Sequence, residues 1–362
     1  MFDKLPHCLV IGAGGVGVIT AYSLFIAGKC IVSIIARSDY DIVKTKGYNI
    51  NSCDYGNLEG WKPHHCYKSV EAAAMSGEFF DYIIVTTKNI PDGPTPVSRI
   101  IEPVIESNLK LCRTSASYRN KVCNIVLIQN GIYIENEIIE LLETMNTSSA
   151  KVSLISGVQL IASTKVGSAN IIHKNTDHLT LGAFDPNDKT AVAYSKKFIE
   201  MYKNEGKNYV ELDTDAKYTR WKKLLYNATI NTTTALTSLD FSRCVQFGPE
   251  TTEFGIVKPA MQEVIAIAKS EGVIIDEKLI DFFYDITLNL VYKPSMCVDV
   301  QKGQLMELEV ILGNPIRVAA KNEVKVPHLN IIYNLLLIIQ GKIKESRGLL
   351  VFDEKTARVV KK

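Results

Sequence analysis

From Cys8 to Gly28 the chain reads CLVIGAGGVGVITAYSLFIAG, 21 residues without a charge. An apolar run of this length is long enough to cross a bilayer as a helix. The glycines argue otherwise. Gly12, Gly14, Gly15 and Gly17 interrupt its first half, and each costs a helix interior about 1 kcal/mol relative to alanine. Ahead of them CLVI is a short β-rich run. Behind them VITAYSLFIAG has helical spacing and stops at Gly28, and CIVSIIA follows at once. The pattern predicts strand, glycine turn, helix, strand. Short apolar runs return at 81–87 (DYIIVTT) and 124–128 (NIVLI), between helix-like stretches, which is the α/β signature. Strands are thus predicted at 8–12, 30–36, 81–87 and 124–128. VSLISGVQLIAS, ANIIHK and HLTLGAF read as further strands, less regularly spaced. The polar, basic segment 111–123, LCRTSASYRNKVC, reads as a surface loop before a strand.

From about 215 the period changes. KYTRWKKLLYNATINTTTALTSL, GIVKPAMQEVIAIAKSEGV and IDFFYDITLNLVY read as helices, with more helix near 301–313 and 329–341. The expected architecture is an N-terminal Rossmann-type dinucleotide-binding domain, 1–213, followed by an all-helical domain, 214–362.

Composition narrows the class. At 362 residues the chain is long enough for two domains. A net charge of +2 gives no reason to expect nucleic-acid binding. Eight cysteines without a C-x-x-C pair read as reduced thiols of a cytoplasmic protein, and no metal site is expected. A secretion signal needs a basic start and a small-residue cleavage site. Here Asp3 and Lys4 cancel and no clean site follows. LNIIYNLLLII, the other strongly apolar run, is short and carries Asn330 and Asn334, so it reads as a packed amphipathic helix rather than a membrane span.

The candidate chemistry begins at the glycines. Gly12, Gly14 and Gly17 fit G-x-G-x-x-G at a strand-to-helix junction, where a dinucleotide motif must sit. The loop Gly12, Ala13, Gly14, Gly15, Val16, Gly17 would carry a pyrophosphate on unpaired N–H groups at the helix N-terminus. An NAD site usually places an acid about 20 residues further on, at the end of the second strand. This chain has Arg37 there, in IIARS. A guanidinium suits the 2′-phosphate of NADP(H), and Lys44 and Lys46 add positive potential. Asp39 and Asp41 blur the signal, and a solvated charged loop is the plain alternative.

A polar stripe marks the first helix of the second half. Lys223, Asn227 and Asn231 are spaced i, i+4, i+8 among Trp221, Leu224, Leu225, Ala228, Ile230, Ala235 and Leu236. A helix apolar nearly all round is usually buried, and its polar groups need partners that a bound substrate would supply. A solvent-facing stripe is the alternative. Lys88, after IIVTT, and Asn130 with Gly131, after IVLIQ, stand past strand ends, where open α/β sheets bind ligands. A loop lysine and a plain Asn-Gly turn would look the same. Ser295, Glu307 and Glu309 lie in an otherwise apolar, helix-like stretch and alone mean little.

Together these pieces resemble the ketopantoate reductase family, the NADPH-dependent reductases of 2-oxo acids. The resemblance rests on GAGGVG at 12–17, Arg37, VTTK ending at Lys88, QNG at 129–131, WKKLLYNATIN at 221–231 and SMCVDVQKGQLMELEVILGNPI at 295–316. It runs from about residue 8 to about 340. It implies that Lys223 is the general acid and that Glu307 is the active-site glutamate. It also implies that Asn227, Asn231 and Ser295 hold the substrate, that Asn130 stands between cofactor and substrate, and that Lys88, Asn130 and Glu307 reach the cofactor. Both domains would then contribute to one cleft that closes on its ligands. The longer, polar 91–123 and the absence of a proline after Asn231 depart from the family pattern and leave the substrate open. The expected reaction is reduction of 2-dehydropantoate, in pantothenate biosynthesis, or of a related 2-oxo acid. The expected partner is that small molecule alone, with a homodimer compatible. Two rivals keep the architecture. One is an NADP(H)-binding sensor without catalysis; the other is a dehydrogenase of a different hydroxy or amino acid.

Overall fold

The apolar runs on either side of the glycine loop pair as parallel strands in the computed structural model, which describes residues 5–145 and 151–360. Asp3 and Lys4 lie outside the described residues. Chain contacts divide the protein into two units. The first comprises residues 5–88, 97–129 and 134–216 of the described chain; the second comprises 89–96, 130–133 and 217–360.

The first unit is a ten-stranded mixed sheet. Its parallel part runs, in spatial order, β5 (His65–Tyr67), β2 (Ile31–Ile35), β1 (His7–Ile11), β6 (Tyr82–Val85), β7 (Val122–Ile128) and β8 (Lys151–Lys165). Every residue of β1, β6 and β7 is buried, which is why those strands read as unbroken apolar runs rather than alternating ones. β8 turns back antiparallel to β9 (Asn170–Ala183), which pairs in parallel with β3 (Tyr48–Ser52) and with β10 (Tyr209–Leu212). β4 (Gly56–Trp61) closes the edge against β3.

Three sequence expectations change here. ANIIHK and HLTLGAF are parts of one 14-residue strand, β9. Residues 111–114 are not loop but the end of the helix Val97–Thr114, and Val122 and Cys123 already belong to β7. That helix buries Val97, Ile101, Val104, Ile105, Leu109 and Cys112 on one face, so its polar C-terminal end is simply the exposed side.

The second unit is helical, and a short hairpin, β11 (Val351–Asp353) with β12 (Arg358–Val360), follows its last long helix, Pro327–Ser346. Its core helix runs from Ala216 to Thr237 with a π-turn at Tyr226–Ile230. Ser295 and Glu307 do not share a helix, the third change. Ser295 opens the helix Ser295–Gln301, Gly303 at φ +60° follows its end, and Glu307 precedes another π-turn, Glu309–Gly313. No helix among the described residues is long and apolar enough to cross a membrane.

Candidate active site

The first unit shapes its glycine loop through three close approaches. Gly12 has φ +121°, and a side chain there would meet Thr86. Thr86 Oγ1 donates to the Gly12 carbonyl at 3.0 Å, tying the loop to the strand beside it. A Cβ on Gly17 would strike the Gly12 carbonyl, and one on Gly15 would strike the backbone of Ser163. Gly14 differs: it is exposed, and a Cβ there meets nothing. It caps the helix Gly15–Ile26, which has no side-chain cap and no acid in its first turn. Free N–H groups at an uncapped, acid-free helix start suit phosphate. Ala13 and Val16 line the same loop.

Arg37 follows β2 and is exposed, with the left-handed φ of +45° that few non-glycine residues adopt. Lys44 and Lys46 are exposed on the next short helix. Asp39, which blurred the cofactor signal, is buried. Its carboxylate accepts from Lys165 at 2.8 Å and from the Ala169 N–H at 3.2 Å. A carboxylate so engaged is not presented to a ribose. Lys88 is exposed, three residues past β6. Cys53, Asp54 and His173 are close enough to share a metal ion. The His173 ring is already used, however, donating to the Asn175 carbonyl at 2.8 Å and meeting Ser52 Oγ at 2.8 Å.

The second unit gathers the chemistry. The chain crosses from Gln129 to Asn130 as it leaves β7, so Asn130–Tyr133 belongs with the helices. Lys223 Nζ donates to Asn130 Oδ1 at 2.9 Å, and Asn130 Nδ2 donates to Glu307 Oε2 at 3.0 Å. The other Glu307 oxygen accepts from the Asn89 N–H at 3.0 Å, and Asn227 reaches Asn130 Oδ1 at 3.4 Å. Lysine, asparagine and glutamate thus form one chain of charge-assisted hydrogen bonds. Gln340 fixes the glutamate's neighbour, accepting from the Met306 N–H at 3.0 Å and donating to its carbonyl at 3.2 Å.

The π-turn explains how one helix serves this cluster and a second one. In a regular α-helix four residues overshoot a full turn by about 40°, so an i, i+4, i+8 stripe drifts. The widened turn at 226–230 takes up part of that drift between Lys223, Asn227 and Asn231. Asn231 then meets a different partner. Its Oδ1 accepts from the Met296 N–H at 2.8 Å and its Nδ2 donates to Ser295 Oγ at 3.2 Å. Asn231 is buried with both ends of its amide used, whereas Ser295 is exposed.

Gly131 is a turn glycine with a structural duty. Its φ is +92°, and a Cβ would lie 2.6 Å from Val310. Beside it the Ile132 N–H donates to the Val310 carbonyl at 3.0 Å. Gly131→Ala is expected to destabilise the protein by at least about 1 kcal/mol and to displace Asn130. Thermal unfolding and activity of that variant check this, and unchanged values in both would show the loop to be adaptable.

Electrostatics set the lysine apart. Burial pulls the Lys223 ammonium down to about 8; Glu307 opposes that, and Arg220 adds to it. Sequence reading missed two residues. Arg220, 5% exposed on the same helix, donates Nη1 to the Gly131 carbonyl at 3.1 Å. In the sequence it stands in TRWKK and looks like surface charge. Asn89 is buried and holds Glu307 through its backbone, while its own Oδ1 has no partner among the described residues. A buried acceptor left open beside a carboxylate fits a ligand that brings a donor. Its only sequence signal was adjacency to Lys88.

The family model for ketopantoate reductase PanE/ApbA matches residues 8–186, and the one for its C-terminal part matches 215–340. The uncharacterized protein YDL144C of Saccharomyces cerevisiae is 54% identical over 98% of this chain and 99% of its own length. A 2-dehydropantoate 2-reductase of Nostoc is 27% identical over 92% and 95%. A solved 2-dehydropantoate 2-reductase from Methylococcus capsulatus superposes with a TM-score of 0.71 at 27% identity, covering 93% of this chain and 97% of that one. The fold and the matches define an oxidoreductase that uses a nicotinamide dinucleotide. The chain belongs to the ketopantoate reductase family.

Proposed function

We propose that this protein reduces the C2 carbonyl of a 2-oxo acid with NADPH, Lys223 supplying the proton. The observation that carries the reading is the chain Lys223–Asn130–Glu307. When bound, the dinucleotide supplies the hydride. The loop Gly12–Gly17 would hold its pyrophosphate, and Arg37 its 2′-phosphate. The engagement of Asp39 by Lys165 and the Ala169 N–H supports NADPH over NADH, because that carboxylate is not presented to a bare ribose; Asp41 is exposed on the next helix.

The residues divide the work. Negative charge builds on the carbonyl oxygen as C2 is reduced, and a cationic lysine both stabilises it and donates the proton. Asn130 accepts one ammonium hydrogen and so aims the others. Glu307 keeps Lys223 charged against the pull of burial, and a lysine near 8 is charged at neutral pH yet able to release its proton. Ser295 offers an exposed hydroxyl for the substrate, and Asn227 an amide. Asn231 holds Ser295 in place beside the substrate. Ketopantoate (2-dehydropantoate) is the substrate the resemblance favours, which would place the reaction in pantothenate biosynthesis. The eight unpaired cysteines support a reducing, cytoplasmic setting.

The test follows NADPH absorbance with ketopantoate, with a panel of other 2-oxo acids, and with no substrate. Turnover with a 2-oxo acid above the blank supports the reading; none with any of them overturns it. Arg37→Ala should weaken NADPH binding by roughly 1.5–3 kcal/mol, the worth of a lost charge-assisted contact, and NADH binding far less. Fluorescence titration with both cofactors checks this. Equal wild-type affinity for the two would remove the NADP assignment.

A further inference from the structure

Arg220 is a buried cation that the reading above does not use. It stands one helical turn before Lys223, and only 5% of it is exposed. A guanidinium does not shed its proton, so it cannot escape burial by becoming neutral. Keeping such a charge out of water is costly, and an apolar side chain of similar volume often serves stability as well or better. A second permanent cation beside a lysine that must carry charge therefore calls for a function. One of its contacts indicates which. Arg220 Nη1 donates to the Gly131 carbonyl at 3.1 Å, and Gly131 follows Asn130, whose amide oxygen receives Lys223 at 2.9 Å.

The geometry points to Arg220 as a positioning residue of the site, one that fixes the Asn130–Gly131 backbone and, as a fixed positive charge, sets how readily Lys223 releases its proton. This rests on reading Lys223 as the proton donor. The charged groups around Lys223 agree with it. From the segment ahead of the π-turn Glu309–Gly313 comes Glu307, which favours the charged lysine. From its own helix comes Arg220, which disfavours it. Several other titratable groups of these elements are engaged elsewhere. Tyr133 donates to Glu271, Glu309 accepts from Arg317 at 2.8 Å, and Lys222 lies over the Tyr218 ring. Glu307 and Arg220 thus act in opposition on one ammonium already weakened by burial.

The test separates charge from hydrogen bond. Arg220→Gln keeps a donor for the Gly131 carbonyl but loses the charge; Arg220→Lys keeps the charge; Arg220→Met loses both. Two readouts are taken on each full-length variant. One is the pH profile of kcat/KM for NADPH-dependent reduction, whose basic limb reports the free enzyme's acid. The other is the pH dependence of Lys223 acetylation by acetic anhydride, read by peptide mass spectrometry, which needs no substrate. In Arg220→Gln and Arg220→Met both midpoints should rise by on the order of one pH unit, while Arg220→Lys stays at the wild-type position. A lower rate with unmoved midpoints would show a purely structural arginine and overturn the proposal. Moved acetylation midpoints in a protein that reduces no 2-oxo acid would uphold Arg220's effect on Lys223 and refute the proposed reaction instead.

Discussion

Lys223→Ala is expected to lower the rate of 2-oxo acid reduction by about 10²–10⁴-fold, the usual scale for a positioned proton donor. Dinucleotide affinity should hardly change, because Lys223 belongs to the second unit, while the glycine cradle and Arg37 belong to the first. Lys222 is the internal control. It sits about 100° round the helix, with its ammonium 5.5 Å from the Tyr218 ring centroid rather than on Asn130. Lys222→Ala should keep near-normal turnover. Steady-state kinetics of both variants beside NADPH titrations decide the matter. An inactive Lys222→Ala with a fully active Lys223→Ala would mean that the stripe faces the other way. Full activity in both would remove the lysine mechanism altogether.

The contrast between neighbouring lysines shows what local sequence can and cannot say. The stripe Lys223, Asn227, Asn231 was legible because helical spacing places such residues on one side, and the glycine loop because its turn, close approach and helix start are all local demands. Neither spacing nor composition shows that Asn231 turns to Ser295 while Asn227 turns to Asn130. That division depends on contacts 64 and 97 residues apart, made from just after and from within a π-turn that has no sequence signature. Glu307 was visible only through the family pattern, since its partners Asn130 and Asn89 lie 177 and 218 residues away. Asn89 was missed for a further reason: its hold on Glu307 uses a backbone N–H, which every residue but proline has.

The fold was similarly uneven. Buried parallel strands announce themselves as apolar runs, and β1, β2, β6 and β7 were found that way. The region 48–67 gave no strand expectation, although β3 alternates buried Tyr48, Ile50 and Ser52 with exposed Asn49 and Asn51. Its asparagines and the glycines of β4 read as turn residues, and what decides for strand is pairing with β9, more than a hundred residues on. In the polar stretch after Lys88, Asp92 pairs with Lys344 at 2.8 Å, which ties 89–96 to the last long helix and keeps Asn89 beside Glu307.

Glu307→Gln should move the pH profile in the direction opposite to Arg220→Gln, with the larger loss at alkaline pH. Glutamine keeps the shape and an acceptor for the Asn89 N–H or the Asn130 amide, so positioning largely survives. What disappears is the negative charge that holds Lys223 up against burial and Arg220. The lysine then falls below about 8, and the basic limb of kcat/KM moves down with it. Above that limb each unit of lowering costs about tenfold in the protonated fraction. At pH 8, the wild-type midpoint, a lowering of one unit cuts the protonated fraction about fivefold, and at pH 6, where Lys223 stays charged, the loss is much less. Because the two neighbours act on one ammonium, their substitutions should not be independent. In the double variant Glu307→Gln, Arg220→Gln the limb should return toward the wild-type position, and kcat/KM at pH 8 should exceed that of Glu307→Gln alone. Profiles of the wild type and the three variants from pH 5 to about 10 are the measurement. A Glu307→Gln enzyme that loses the same factor at every pH would show that the carboxylate acts on something other than the charge of Lys223.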